Sequence, residues 1–479
     1  MDEDTMRLIL IDEFPAQRNQ SVFLSALILS ALIIGFSLWP MVGQAQEAGS
    51  AQKTAKAPEV EATLFPVPNF TGDLWSRPKL TGDWGGLRTT LGKNGVQLDL
   101  DNVHTFQAVT SGGLDTTGRY LGNAEIVLKL DSQKMGLWPG GFLLVRGEAA
   151  FGTGVNSATG ALLPVNTRPI LSLPARDEMV LSHVVLTQFL SEKFAVTLGK
   201  LDTTGGDANE FAHGRGDDKF MNLAFSFNPV LLRVGPYSTL GMGLVFLPTK
   251  DLILSFSAID TEGVTTRTGF DTLFKDGTTL ASEARLTVRP FGLTGHQLIG
   301  FAWSNSDFNS LSQDPRTLIG NVLFGTPPKK ESGSWAFMYN FDQYFYQDET
   351  DPTQGIGVFG RFGISDGKAN PIAQFYSIGF GGKGLIPTRE HDRWGIGYYY
   401  MKIANDLRNT IPALPRERVG LDHEQGVELF YNIAITPWLH VTPDLQFIDA
   451  GRNKAPILTA GGKSIGTAVV AGLRVRVDF

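Results

Sequence analysis

The chain ends on Ala471-Gly472-Leu473-Arg474-Val475-Arg476-Val477-Asp478-Phe479, and this stretch decides the fold. Read with a period of two, Leu473, Val475, Val477 and Phe479 share one face, while Arg474, Arg476 and Asp478 share the other. A strand that is wholly apolar on one side, charged on the other and closed by an aromatic suits a wall between lipid and water. A soluble sandwich would also turn an apolar face inward, but it would rarely finish on a large aromatic.

The same alternation runs back through the chain. Gln97, Asp99 and Asp101 alternate with Val96, Leu98 and Leu100, and Glu125, Lys129 and Asp131 with Ile126, Leu128 and Leu130. Arg146 and Glu148 oppose Leu143, Val145 and Phe151. Glu283, Arg285, Thr287 and Arg289 alternate with Ala284, Leu286 and Val288, and Glu428 and Asn432 with Val427, Leu429, Tyr431, Ile433 and Ile435. Turn-rich stretches such as Ser111-Gly112-Gly113, Thr203 to Asp207 and Ser365-Asp366-Gly367 separate these segments. Candidate strands recur about every 25 residues, which predicts an all-β, transmembrane antiparallel β-barrel of about 16 strands. Val470–Phe479 should seal it against the first strand near residues 95–106, because closure leaves no unpaired edge. Sixteen strands enclose an aqueous channel rather than a packed interior.

Composition agrees. Hydrophobic residues make up 42% and charged residues 19%, yet after Val22–Trp39 no second apolar run is long enough for a membrane helix. A membrane protein without such helices must be a closed barrel, since only closure satisfies every backbone group in lipid. Arg7 and Arg18 precede the Val22–Trp39 run, and Gly43-Gln44-Ala45 follows it, so residues 1–45 read as a signal peptide. An uncleaved anchor is the alternative, and the start lies at Met1 or Met6. Residues 46–79 read as a tether: 46–62 has little to pack, and 64–79, with Pro66, Pro68 and Pro78 among Phe65, Phe70 and Trp75, should dock locally. Residues 80–479 form the barrel domain. The chain has no cysteine, and its formal net charge of -7 argues against a nucleic-acid partner.

Few constellations suggest chemistry. The seven histidines lack metal-ligand spacing, and neither a nucleophile elbow nor a phosphate loop occurs. Gly379–Gly384 lacks the strand-then-helix context of a dinucleotide site. Arg215-Gly216-Asp217 is read as a chance match to an adhesion tripeptide, and Asp217-Asp218 as a solvated acidic turn. Ser182 and His183 are sequence neighbours, which places them on opposite faces of a strand. No enzyme, cofactor or metal site is expected. What survives is a polar inner face with both charge signs on single strands, namely Glu125 with Lys129, Arg146 with Glu148, and Glu283 with Arg285 and Arg289. Such a wall suits a neutral polyhydroxy solute, whose hydroxyls donate to carboxylates and accept from guanidinium groups. Trp84, Trp138, Phe211 and Trp394 are candidates for stacking on sugar rings, with interfacial girdle duty as the alternative.

Leu80-Thr81-Gly82-Asp83-Trp84-Gly85-Gly86-Leu87-Arg88, with Leu91 to Val96 after it, resembles the entry motif of the OprB-type carbohydrate-selective porins. Gly199-Lys200-Leu201-Asp202 with Glu210-Phe211-Ala212 is similar to a second family segment. Gly381 to Arg389 through Gly395, and Thr442 to Ile448 with Gly472-Leu473-Arg474, resemble two more. The resemblance covers residues 80–479. It implies a 16-stranded porin in the outer membrane of a Gram-negative bacterium, monomeric or trimeric, surrounded by outer-membrane lipid. It also implies passage of monosaccharides such as glucose through an eyelet of charged side chains. Terminal Phe479 resembles the signal read by the barrel-assembly machinery. Periodicity and resemblance together nominate Arg88, Glu125, Lys129, Arg146, Glu148, Lys200 and Asp202 as constriction residues. Lys200 is awkward, because it shares parity with Phe194, Val196 and Leu198 and so points to lipid; a bulge near Gly199 or snorkelling at a strand end would reconcile it. A channel for organic acids, aromatic compounds or general solutes is the alternative function.

Overall fold

The computed structural model describes residues 64–168, 179–314, 325, 327–413, 420–454 and 464–479. The expected signal peptide, residues 1–45, and residues 46–63 of the expected tether lie outside the described residues. Sixteen antiparallel strands close into one barrel. The first eight are β1 (Val96–Gly113), β2 (Gly118–Asp131), β3 (Gly141–Gly152), β4 (Met179–Ser191), β5 (Phe194–Asp202), β6 (Ser238–Thr249), β7 (Leu252–Asp260) and β8 (Thr278–Val288). The second eight are β9 (Gly295–Asn309), β10 (Lys330–Gln347), β11 (Gly355–Ser365), β12 (Ile372–Lys383), β13 (Arg393–Ile403), β14 (Glu424–Thr436), β15 (Leu439–Asp449) and β16 (Gly466–Asp478). Each strand pairs with its sequence neighbours, and β16 closes on β1 with Asp478 opposite Asp101 and Leu473 opposite Phe106. The predicted closure is thus the observed one.

The faces follow the alternation. On β16, Leu473 is 42% exposed on the outside, whereas Arg474 is 1% exposed inside. Two-residue turns (192–193, 250–251, 437–438) join strands at one end, and long loops (203–237, 261–277) join them at the other. In outer-membrane barrels the short turns face the periplasm. Among the described residues no helix is long and apolar enough to cross a membrane.

A short helix, α1 (Leu87–Lys93), staples the closing seam. Its Arg88 donates to the Leu98 carbonyl at 2.8 Å and the Phe479 carbonyl at 3.0 Å, beneath the Phe70 and Trp84 rings. The Phe479 amide donates to Leu100 O at 2.8 Å, and the Leu80 amide to Asp478 O at 2.8 Å. Within segment 64–79, Phe65 and Phe70 are buried against the barrel end, whereas Leu74 and Trp75 are exposed. Phe65 is buried edge-on against Phe142, and Gln97 donates to its carbonyl at 2.9 Å. Hydrogen bonds from a charged donor stabilise by roughly 1.5–3 kcal/mol each. Arg88→Leu should therefore lower the urea midpoint of barrel unfolding, read as the shift between folded and unfolded bands on a gel; an unchanged midpoint would remove Arg88 from the seam.

Candidate functional site

The register of β1, β2 and β3 sets Asp101 opposite Glu125 and Glu125 opposite Glu148. Three carboxylates therefore stand in one row on the inner wall. Like charges directly opposite each other repel, so the row requires cations. Four arginines answer it. Arg146, on β3, places Nε 3.3 Å from Glu125 and Nη1 2.8 Å from Asp202 at the end of β5. Arg476 of β16 lies 3.6 Å from Asp101. The other two come from loops. Arg168 reaches Glu125 at 3.5 Å, Glu148 at 3.7 Å and Asp101 at 3.9 Å, and it also pairs with Asp217. Arg215 lies 3.4 Å from Glu125, pairs with Glu148 and Asp202, and donates to Tyr237 Oη at 2.6 Å. Tyr237 in turn donates to Glu148. Glu148, Asp202 and Arg168 are almost wholly buried here.

Loop 203–237, which carries Arg215, is folded into the lumen and tied to the wall almost all the way round. Asp207 pairs with Arg361 of β11 at 2.7 Å, both side chains sealed from solvent. Asn209 donates to Asn340 of β10 at 2.6 Å. The Met221 and Asn222 amides donate to Glu428 of β14 at 2.5 and 3.0 Å, and Arg474 of β16 donates to the Gly216 and Lys219 carbonyls at 2.6 and 2.9 Å. Burial pushes the His213 imidazole of this loop down to about 3, and the nearby Lys219, Arg361 and Arg285 cations add to the effect, so the ring is neutral at neutral pH.

Between its polar ends the loop carries an apolar core. Phe220 packs at 4.6 Å against Phe225 with the rings tilted by 33°, and both meet Phe359 of β11, with Phe430 of β14 and Tyr399 of β13 completing the cluster. Glycines on the facing wall make the room. Gly357, Gly381 and Gly395 stand in one row across β11, β12 and β13, and Gly379 and Gly397 in the next. A Cβ at Gly395 would come within 2.8 Å of Phe220, and one at Gly397 within 2.5 Å of Phe225. Of the glycine-rich Gly379–Gly384 stretch, Gly381 faces Phe211 of the loop, and Gly379 faces Phe359, the wall ring on which Phe220 and Phe225 pack.

The structure brings together Glu125, Arg146, Glu148 and Asp202. Lys129 stands apart: it pairs with Asp99 at 2.8 Å, and Asp99 lies 3.6 Å from both Arg88 and Lys79, beside the closing seam. Lys200 does face outward, as its parity predicts. The register runs through Gly199 without a shift, with Val185 opposite Gly199 and Val184 opposite Lys200, so no bulge resets it. Nor does Lys200 snorkel: loop 261–277 covers it, and its ammonium donates to the Thr265 and Arg267 carbonyls at 2.7 Å each. Carbonyl oxygens satisfy the charge that lipid could not.

Arg168 and Tyr237 carry no periodic signal in the sequence, and Arg215 and Asp217, which match an adhesion tripeptide only by chance, join this cluster. Asp217 is the partner of Arg168, and Asp218 lies 3.7 Å from Arg393, so the pair is no free acidic turn. The signal available was the acid row itself, three same-face carboxylates on adjacent strands with one arginine among them. Of the aromatics, Phe211 is wedged against Tyr344 at 4.8 Å, while Trp394 lines an apolar hollow on the lipid side with Leu385, Ile386, Ile396 and Leu429. Trp84 covers Arg88, and Trp138 donates to Gln188 at 2.8 Å. Among the described residues no three His, Asp or Glu side chains are grouped to hold a metal ion.

Residues 115–479 match the family model described as the carbohydrate-selective porin, OprB family. Porin B of Pseudomonas aeruginosa is 24% identical over 434 residues, which is 84% of this chain and 91% of that protein. A putative porin, QuiX, of Acinetobacter baylyi is 23% identical over 201 residues, 39% of this chain and 41% of that one. The high-pH structure of Pseudomonas putida OprB superposes with a TM-score of 0.72 at 23% identity, over 85% of this chain and 99% of that one. Its low-pH structure gives 0.51 at 18% identity over the same shares. A family match across most of the barrel, together with a closed 16-strand wall whose apolar face looks outward, places this chain in the outer membrane as a member of the OprB family of carbohydrate-selective porins.

Proposed function

We propose that the barrel passes monosaccharides, glucose-like sugars first, by facilitated diffusion through a charged constriction that the inner loop and the β1–β3 acid row form together. The observation that carries this reading is the layer of Arg146, Arg168 and Arg215 interleaved with Glu125, Glu148 and Asp202 inside a closed barrel. Fixed carboxylates accept from sugar hydroxyls and fixed guanidinium groups donate to them, so adjacent charges of opposite sign suit vicinal hydroxyls. An ion of either sign meets repulsion somewhere in such a layer. Passage needs no general acid, nucleophile or cofactor. Affinity must stay weak for the solute to leave, which sets binding at roughly millimolar. In the same reading Lys129, Lys200 and Arg88 support the wall and seam around the passage, and Phe479 is the residue offered to the assembly machinery.

Glu148 tests the reading. It accepts from Arg215 and Tyr237 while lying on the wall. Glu148→Gln keeps the shape and loses the charge, so it should weaken glucose block of single-channel current several-fold, given that a hydrogen bond to a charged group is worth about 1.5–3 kcal/mol and less in a wet channel. The inner loop loses a partner too, so a rise in open-channel noise should accompany the change. Unaltered block in both Glu148→Gln and Arg146→Gln would move the sugar site away from this layer.

A further inference from the structure

We propose that the lumen holds a second recognition point, at Arg285, which takes the carboxylate of an acidic sugar such as a uronate. This rests on the reading of the barrel as a sugar channel and extends it to charged sugars. Arg285 lies on β8, opposite Leu298 of β9, a residue 1% exposed on the inner wall, and is itself 8% exposed. Its neighbours in burial are all engaged. Arg146, Arg168 and Arg361 pair with carboxylates, and Arg88 and Arg474 donate to carbonyls. Arg285 differs: among the described residues it makes no ion pair or hydrogen bond, and its Nε is shielded from solvent without a partner. Glu283, two residues along the same face, takes the Asp207 amide at 3.5 Å.

A largely buried guanidinium with no counter-charge is costly, and an arriving carboxylate relieves that cost with its own charge. The planar fork of arginine fits a carboxylate through two parallel hydrogen bonds. His213 follows Ala212, whose carbonyl accepts from Arg361; Arg361 pairs with Asp207, and the Asp207 amide meets Glu283 two residues from Arg285, while the Nδ1 of His213 is likewise buried without a partner. A neutral imidazole donates from one nitrogen and accepts at the other, so it can serve a ring hydroxyl of the same solute. A carboxylate with an adjacent polyhydroxy ring meets both groups, whereas a neutral sugar meets only the second.

The test is current block of the full-length protein in planar bilayers by D-glucuronate and by D-glucose. Wild type should be blocked about five- to ten-fold more tightly by glucuronate, the gap between a charge-assisted and a neutral hydrogen bond. Arg285→Gln should bring the two block constants together, and Arg285→Lys should restore part of the gap, because ammonium keeps the charge and loses the fork. Equal block by the two sugars in wild type would overturn the proposal, and so would a preference that survives Arg285→Gln. The wild-type comparison decides even if a variant fails to assemble. Glucose block without a glucuronate preference defeats the Arg285 site alone. Arg285-dependent glucuronate block without any glucose block supports the site and defeats the neutral-sugar reading.

Discussion

Replacing Arg215 with leucine is expected to release the inner loop and open the channel while leaving the barrel assembled. Arg215 serves Glu125, Glu148, Asp202 and Tyr237 at once. Its removal leaves a buried acid layer with one guanidinium too few, and breaking a buried ion pair from one side costs about 3–5 kcal/mol. That cost falls on the docking of residues 203–237, since the strand ladder on either side does not involve the Arg215 side chain. A loss of that size lowers the docked-to-undocked ratio by roughly two to four powers of ten. Single-channel conductance should rise, with flicker as the loop comes and goes, and glucose block should weaken sharply. Wild-type conductance in Arg215→Leu would show that the loop is held by its apolar core alone.

Gly397→Val attacks that core from the wall side. A Cβ at Gly397 lies 2.5 Å from Phe225, and the two γ-methyls of valine add further bulk toward a ring already packed on Phe220 and Tyr399. Overpacking in a filled interior costs typically 1–3 kcal/mol and sometimes more. Gly397 is a strand residue between Gly379 and Glu428, and its backbone pairing tolerates a β-branched side chain, so the strain falls on the loop. Trypsin added from outside should then cut at Arg215 or Lys219, which the wild type protects. Equal protection in Gly397→Val and wild type would place the loop's hold elsewhere.

The two halves of the molecule differ in how far they could be read in advance. The barrel was legible because lipid on one side and water on the other impose a local rule, visible in nine residues from Ala471 to Phe479 and repeated at Val96–Asp101 and Ala284–Arg289. The acids and Arg146 of the cluster were legible for the same reason, because alternation assigns them to the inner face. Arg168 and Arg215 were not, because a loop has no period, and Arg215 finds Glu148 across 67 positions of chain. Parity placed Lys200 outside correctly, but it carries no information about which loop will cover it. One long-range feature is nonetheless written in the sequence. Glycine at alternate positions, Gly355 and Gly357, Gly379 and Gly381, Gly395 and Gly397, strips one face of β11–β13 of side chains. A bare stripe on an inner wall calls for something bulky to fill it, and the inner loop does so with Phe211, Phe220 and Phe225.

The measurement that bears most directly on the central claim is titration of D-glucose against the single-channel current of the purified wild-type barrel. A passage walled by fixed charges of both signs and narrowed by the inner loop predicts saturable block with a half-block concentration on the order of millimolar. Current that falls only with the bulk conductivity of the sugar solution, with no saturation, would contradict it.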